Sequence, residues 1–191
     1  YEIINSEVKN SPPGADGIVL IPHFAGTAAP YWNPAASGVI FGLSLGHSRP
    51  AVIRALLEGV ILEINKNIRI IEELVGSIKE IRVSGGAARS TTFNQIQADV
   101  YGKPVLRSVS EQSSGLGALI LAATAIGKFS NIGQAVDALL EFDPGGRIEP
   151  RARYHAVYER LGELHDAIYQ ALNKGGVYAK AAELMRFLRS E

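Results

Sequence analysis

The chain has 191 residues, 47% of them hydrophobic and 20% charged, the profile of a folded globular protein rather than a disordered one. Nineteen Lys and Arg balance nineteen Asp and Glu, which argues against a general nucleic-acid or anionic-membrane surface. With no cysteine, disulfides, thiolate metal sites and cysteine nucleophiles are excluded, and no apolar run approaches the roughly 18 residues of a membrane span.

The chain opens on Tyr1 rather than Met, and its polar start does not read as a secretory leader. It reads as a piece of a longer protein. Residues 1–17 are polar and turn-rich (Ser11, Pro12, Pro13, Gly14, Asp16, Gly17), which predicts an entry loop or linker. Ile18 to Ile21, closed by Pro22, predicts a strand. Residues 22–38 predict a long ordered loop, a common place for function. Its Pro30-Tyr31-Trp32-Asn33-Pro34 stretch holds the only tryptophan, read as a packed aromatic plug more readily than as a ligand contact. Val39 to Leu43 predicts a second strand.

Residues 49–75 carry the strongest periodicity. Val52, Ile53, Leu56, Leu57, Val60, Ile61, Ile64, Ile68 and Ile71 recur at three- and four-residue steps, one apolar helix face. Ser48 suits the N-cap, Pro50 the first turn and Gly76 the stop. Glu58 falls inside this helix and is read as a solvated or capped glutamate. Residues 79–84 predict a strand, broken by Gly85-Gly86. A capping box over Thr92 to Gln95 opens the next helix, Val105 to Val109 predicts a strand, and Ser113 to Ile126 a small-residue helix. Gly115 and Gly117 are read there as packing residues. After Gly127 the chain turns helical, about 131–141, 151–173 and 178–189, with Asp143-Pro144-Gly145-Gly146 as an intervening turn. The alternation of helix and strand predicts an α/β layered domain with a parallel core.

The segment most suggestive of chemistry is Ile81 to Ser90, a strand running through two glycines into a helix start. Backbone N–H groups at such a junction are unpaired and suit a phosphate or a flat base. A plain tight turn is the alternative. Walker and Rossmann fingerprints are not met: Gly42 to Gly46 is one residue short with His47 in place of lysine, and Gly115 and Gly117 lack a third glycine. His23, His47, His155 and His165 show no ligand spacing, and His155 and His165 are read as surface or boundary residues. No metal site is expected from them, and no Gly-x-Ser-x-Gly elbow occurs.

Four stretches in order resemble the carboxy-terminal domain of the FGGY family of carbohydrate kinases: FAGTAAPYWNP from Phe24, GVIFGLSLGHSRPAVIRALLEG from Gly38, VSGGAARSTTFNQIQADVYGKP from Val83, and EQSSGLGALILAA from Glu111. The resemblance implies an actin-like, ribonuclease-H-like α/β fold with extra C-terminal helices. Residues 18–191 would form the ATP-binding domain, and 1–17 would enter from an N-terminal lobe. By position, Gly85, Gly86, Ala87, Arg89 and Ser90 would approach the nucleotide, with Gly26 and Thr27 near the phosphates. ATP with Mg²⁺ is the implied cofactor. A catalytic aspartate would lie upstream, and the sugar or polyol would be held mainly by the other lobe. The isolated chain would then be inactive. The resemblance also implies a cytoplasmic protein with no nucleic-acid or membrane partner, and leaves a homodimer open. GGAARS looks like xylulose kinases and PYW like glycerol kinases, with gluconate kinases a further alternative. Ala51, Asn33 and Ser37 depart from the family pattern and keep a non-catalytic binding module open. A different actin-like phosphotransferase or ATPase is the third reading.

Overall fold

The computed structural model describes residues 2–110 and 112–190. Its axis is α2, Arg49–Val75, whose start and end follow the predicted signals. Ser48 Oγ accepts from the Ala51 N–H at 3.4 Å, Pro50 sits in the first turn, and Gly76 stops the helix at φ +87°. The apolar face of α2 buries Ile61, Leu62 and Ile68 against Ile96 and Val100 of α3 (Thr91–Tyr101) and Leu161 and Ile168 of α6 (Ala152–Lys174). Full burial of such side chains contributes about 1.5–3 kcal/mol each.

Two small sheets flank this helical core. In the first, β1 (Val19–Ile21) pairs antiparallel with β2 (Val39–Phe41). All three β1 residues are buried, and the strand crosses α2 at Gly59, where an added Cβ would lie 2.1 Å from the Leu20 carbonyl oxygen. In the second, β3 (Ile81–Val83) pairs parallel with β4 (Val105–Ser108), and β4 pairs antiparallel with β5 (Phe142–Ile148). The parallel core is therefore a single strand pair. Helices α4 (Ser113–Ala125), α5 (Ile132–Leu139) and α7 (Val177–Ser190) complete the fold.

Several local expectations are corrected. Glu2–Lys9 forms helix α1, where a loop was expected. Its Val8 is fully buried in the core, so a polar-looking segment is held helical by this apolar anchor and by tertiary contacts. The cap of α3 is Ser90, whose Oγ accepts from Phe93 N–H at 3.0 Å, not Thr92. The Asp143–Gly146 segment, read as a turn, lies inside β5; Pro144 is tolerated because this is an edge strand. Gly115 and Gly117 do not pack: an added Cβ would meet nothing within 4 Å at Gly117 and only Gln112 Cβ at 4.0 Å at Gly115. His165 is buried, not superficial.

Glu58 is also buried rather than solvated, 1% exposed. Its Oε1 accepts from Arg54 Nε at 2.6 Å, Tyr158 Oη at 2.6 Å and Gly14 N–H at 3.1 Å. Arg54 also donates Nη1 to the Val8 and Ser11 carbonyls, at 3.0 and 2.9 Å, and Nη2 to Tyr158 Oη at 3.0 Å. Burial raises the Glu58 carboxyl above its usual pKa, and Arg54 and Tyr158 only partly offset this. The network joins α1, the 10–17 turn, α2 and α6.

Candidate active site

The C-terminal ends of the parallel strands β3 and β4 point the same way, the end where ligands bind in open α/β sheets. After β3 the chain passes through Gly85, at φ +84°, into a 3-10 turn over Gly86–Arg89. Ala88 N–H closes on Gly85 O and Ser90 N–H on Ala87 O, each at 3.1 Å. The N–H groups of Gly86 and Ala87 have no partner among the described residues. An added Cβ at Gly85 or Gly86 would meet nothing within 4 Å. Gly85 needs glycine for its left-handed backbone. At Gly86 the φ is ordinary and the space open, so the fold alone makes no demand for glycine there.

This turn borders a cleft of about 330 Å³ lined by Gly85, Ala88, Arg89, Arg107, Ser108, Val109 and Asp143; the predicted Gly86 and Ala87 are not among its lining residues. Arg107 and Asp143 form an ion pair across β4 and β5. The Arg107 guanidinium, followed by a hydrogen bond from Gly145 N–H, holds the Asp143 carboxyl below its usual pKa. It is therefore charged and already engaged. Neither residue stands out in the sequence; the available signal is the strand that carries Arg107 and the Asp-Pro-Gly-Gly run, which reads as a turn. An adjoining slot of about 210 Å³, mostly apolar, runs along α4 beside Val83, Leu116, Ile120 and Phe142 and shares Ser108.

The remaining predicted residues are placed differently. Ser90 is buried, and its hydroxyl caps α3 while donating to Asn5 Oδ1. Gly26 and Thr27 do not line the cleft. They lie on the 22–38 loop, where Thr27 N–H donates to Asn33 O at 3.0 Å. Gly26 has φ +79° and no room for a Cβ, with Pro34 Cα at 3.1 Å. Trp32 is 74% exposed, so the packed plug is instead Tyr31, stacked on Tyr169 at 3.9 Å between ring centroids. Asn33, a departure from the family pattern, donates to Asn173 Oδ1 at 3.0 Å and accepts from Ala35 N–H at 3.0 Å. Glu111, within the fourth family-like stretch, lies outside the described residues.

The description "FGGY family of carbohydrate kinases, C-terminal domain" matches residues 5–126. The chain is 33% identical to a gluconokinase of Bacillus licheniformis, covering 100% of this chain and 36% of the relative. It is 36% identical to a glycerol kinase of Citrifermentans bemidjiense, covering 81% and 32%. Among solved structures it is similar to xylulose kinase from Rhodospirillum rubrum, at 31% identity and TM-score 0.77 over 91% of this chain and 34% of that one. The fold is thus the actin-like, ribonuclease-H-like one, and the chain spans about a third of the length of these relatives.

Proposed function

Because the chain belongs to the FGGY family of carbohydrate kinases, we propose that it forms the nucleotide-binding lobe of an ATP-dependent kinase acting on a sugar or polyol hydroxyl. The observation that carries this reading is Gly86, which faces open space at a strand end with an ordinary φ. A ligand lying against the backbone supplies the reason for glycine that the fold does not. Gly85, Gly86 and Ala87 would offer backbone N–H groups, and Arg89 and Arg107 would offer positive charge to the nucleotide's phosphates. Gly26 and Thr27 remain proposed phosphate-side contacts, carried on the 22–38 loop.

Among the described residues no three His, Asp or Glu converge to hold a metal. Mg²⁺ is therefore expected to arrive with the nucleotide phosphates rather than in a protein cage. Among the described residues the cleft's only carboxylate, Asp143, is paired with Arg107, and Glu58 is sealed in the core. Neither is placed to take a proton from a sugar hydroxyl. The chain alone should then bind nucleotide without turning over a sugar. Xylulose is the acceptor we favour, on the GGAARS turn, with glycerol and gluconate as alternatives.

Calorimetric titration with ADP tests the assignment. Binding by the wild-type chain and its loss in a folded Gly86→Val variant are expected; unchanged affinity in that variant refutes it. A coupled ADP-release assay with xylulose, glycerol and gluconate tests the second part. Sugar-dependent turnover by these 191 residues would place a general base inside the chain.

A further inference from the structure

A group of buried titratable side chains lies beneath the base of the 22–38 loop, and none of them lines the nucleotide cleft. Glu63 and Lys66 come from α2, His165, Asp166 and Tyr169 from α6, Tyr178 from α7, and His23 and Tyr31 from the loop itself. His23 is 3% exposed and His165 1%. Buried polar groups are as a rule hydrogen-bonded. Here both ring nitrogens of both histidines lack a hydrogen-bond partner among the described residues, and so do Glu63 Oε1 and Asp166 Oδ1.

Charge is out of balance in this cluster. Burial favours the neutral carboxyls, but His23 and Lys66 outweigh it at Glu63, and His165 and Lys66 at Asp166, so both titrate below their ordinary values. Burial would discharge Lys66, but Asp166 and Glu63 outweigh it and hold its ammonium. Burial pushes the Tyr31 and Tyr178 phenols up, which keeps them neutral. Two carboxylates therefore face one ammonium, with one negative charge in excess. A single proton on either imidazole brings the cluster to neutrality, and a proton on both would overshoot it. His23 is the ring nearer a carboxylate, with Nε2 3.3 Å from Glu63 Oε1. His165 Nε2 and Nδ1 stand 3.8 Å from Glu63 Oε2 and 3.9 Å from Asp166 Oδ1.

The same ring bears on the loop. His23 packs edge-on against Tyr169 at 5.3 Å between centroids, and Tyr31 stacks on that Tyr169 ring at 3.9 Å. Lys66 Nζ lies 4.7 Å from the Tyr31 ring centroid. A shift of His23 away from Glu63 thus reaches Tyr31 through one shared ring, and Trp32, the next residue, is 74% exposed.

We propose that His23 is a proton-operated latch on the 22–38 loop: the imidazolium ties the base of the loop to Glu63, and loss of its proton loosens the loop. A charged donor makes the stronger contact with a carboxylate, whereas a neutral ring leaves the excess buried charge uncompensated. Imidazoles change charge between about pH 5 and 8, so the latch works near neutrality. It stands without the nucleotide assignment, although Gly26 and Thr27 ride on the same loop.

Trp32 is the only tryptophan, so its fluorescence anisotropy reports on this loop. In the wild-type chain the anisotropy should fall in one step as pH rises from about 5 to 8. His23→Gln keeps a donor toward Glu63 but takes up no proton, and the step should vanish in the folded variant. Nuclear magnetic resonance of the wild-type chain supplies a second measurement, in which the His23 ring and the Thr27 amide should shift with one common midpoint. That coincidence decides alone if the variant fails to fold. A flat wild-type anisotropy, a step that survives in His23→Gln, or separate midpoints for His23 and Thr27 would each overturn the proposal. No nucleotide is present in these measurements, so failure of the chain to bind ADP would leave them intact.

Discussion

Gly59 and Gly86 are the same residue put to opposite uses. Gly59 sits mid-helix in α2, where glycine costs roughly 0.5–1 kcal/mol against alanine. The close crossing of β1 explains it, since a Cβ would meet the Leu20 carbonyl at 2.1 Å. Gly86 opens an exposed turn with nothing within 4 Å of its missing Cβ. The surroundings differ in the same sense. Next to Gly59, the Glu58 carboxylate is locked among Arg54, Tyr158 and Gly14. Next to Gly86, backbone donors are unpartnered and Arg89 borders a cleft. A residue that the surrounding atoms require belongs to the fold; one that they leave unexplained points to something outside it.

The comparison can be broken at its strongest point first. Glu58→Ala removes one partner of a buried ion pair and leaves Arg54 uncompensated, which should cost about 3–5 kcal/mol. Urea unfolding would measure it; a loss under about 1 kcal/mol would mean the network contributes little. Next, the same substitution at the two glycines should separate them. Gly59→Ala should destabilise by about 1–3 kcal/mol, as β1 is pushed off α2. Gly86→Ala should leave stability within about 0.5 kcal/mol while weakening ADP roughly tenfold or more, as the methyl enters ligand space. Equal stability losses at both positions would remove the distinction.

How much of this was legible in the sequence depends on which force decides each element. Helix α2 was legible to its ends, because its apolar period, Ser48 cap and Gly76 stop are all local signals. The Gly85–Gly86 turn was legible because a strand running into paired glycines is also local. Helix α1 was not, since its case rests on Val8 reaching the core and on Arg54 binding the Val8 carbonyl, 46 residues away. Strand β5 was hidden by Pro144 and two glycines, and is held instead by pairing with β4. In the cleft, the Arg107–Asp143 pair joins residues 36 apart, which no spacing rule could connect. Glu58 looked solvated because its partners, Tyr158 and Gly14, are 100 and 44 residues distant.

A second buried polar cluster yields the smallest effect, and it is a matter of pH. Beneath the 22–38 loop, Lys66 Nζ lies 3.1 Å from Glu63 Oε2 and 2.7 Å from Asp166 Oδ1. His23 and His165 face the same carboxylates, with His23 Nε2 3.3 Å from Glu63 Oε1, and Tyr31 covers Lys66. Burial pushes the Glu63 carboxyl up, but the neighbouring His23 and Lys66 outweigh it and hold it below its ordinary 4.5. Burial likewise raises Asp166, and His165 and Lys66 outweigh it, holding it below 3.8. Carboxyls depressed in the folded state add stability that is complete above their unfolded values and lost as pH falls through the folded ones. Stability should therefore decline from about pH 5 downward, by on the order of 1 kcal/mol from this cluster, since Asp166 is half exposed and screened. Other carboxylates on the surface will add to the acid slope, so the informative quantity is a difference. Lys66→Met removes the ammonium that both carboxylates share. The variant should be less stable than wild type at pH 6, and the gap should narrow as both are taken to pH 3. Urea midpoints for the two proteins across that range measure it, and a gap that stays constant with pH would show that Lys66 does not set the ionisation of this cluster.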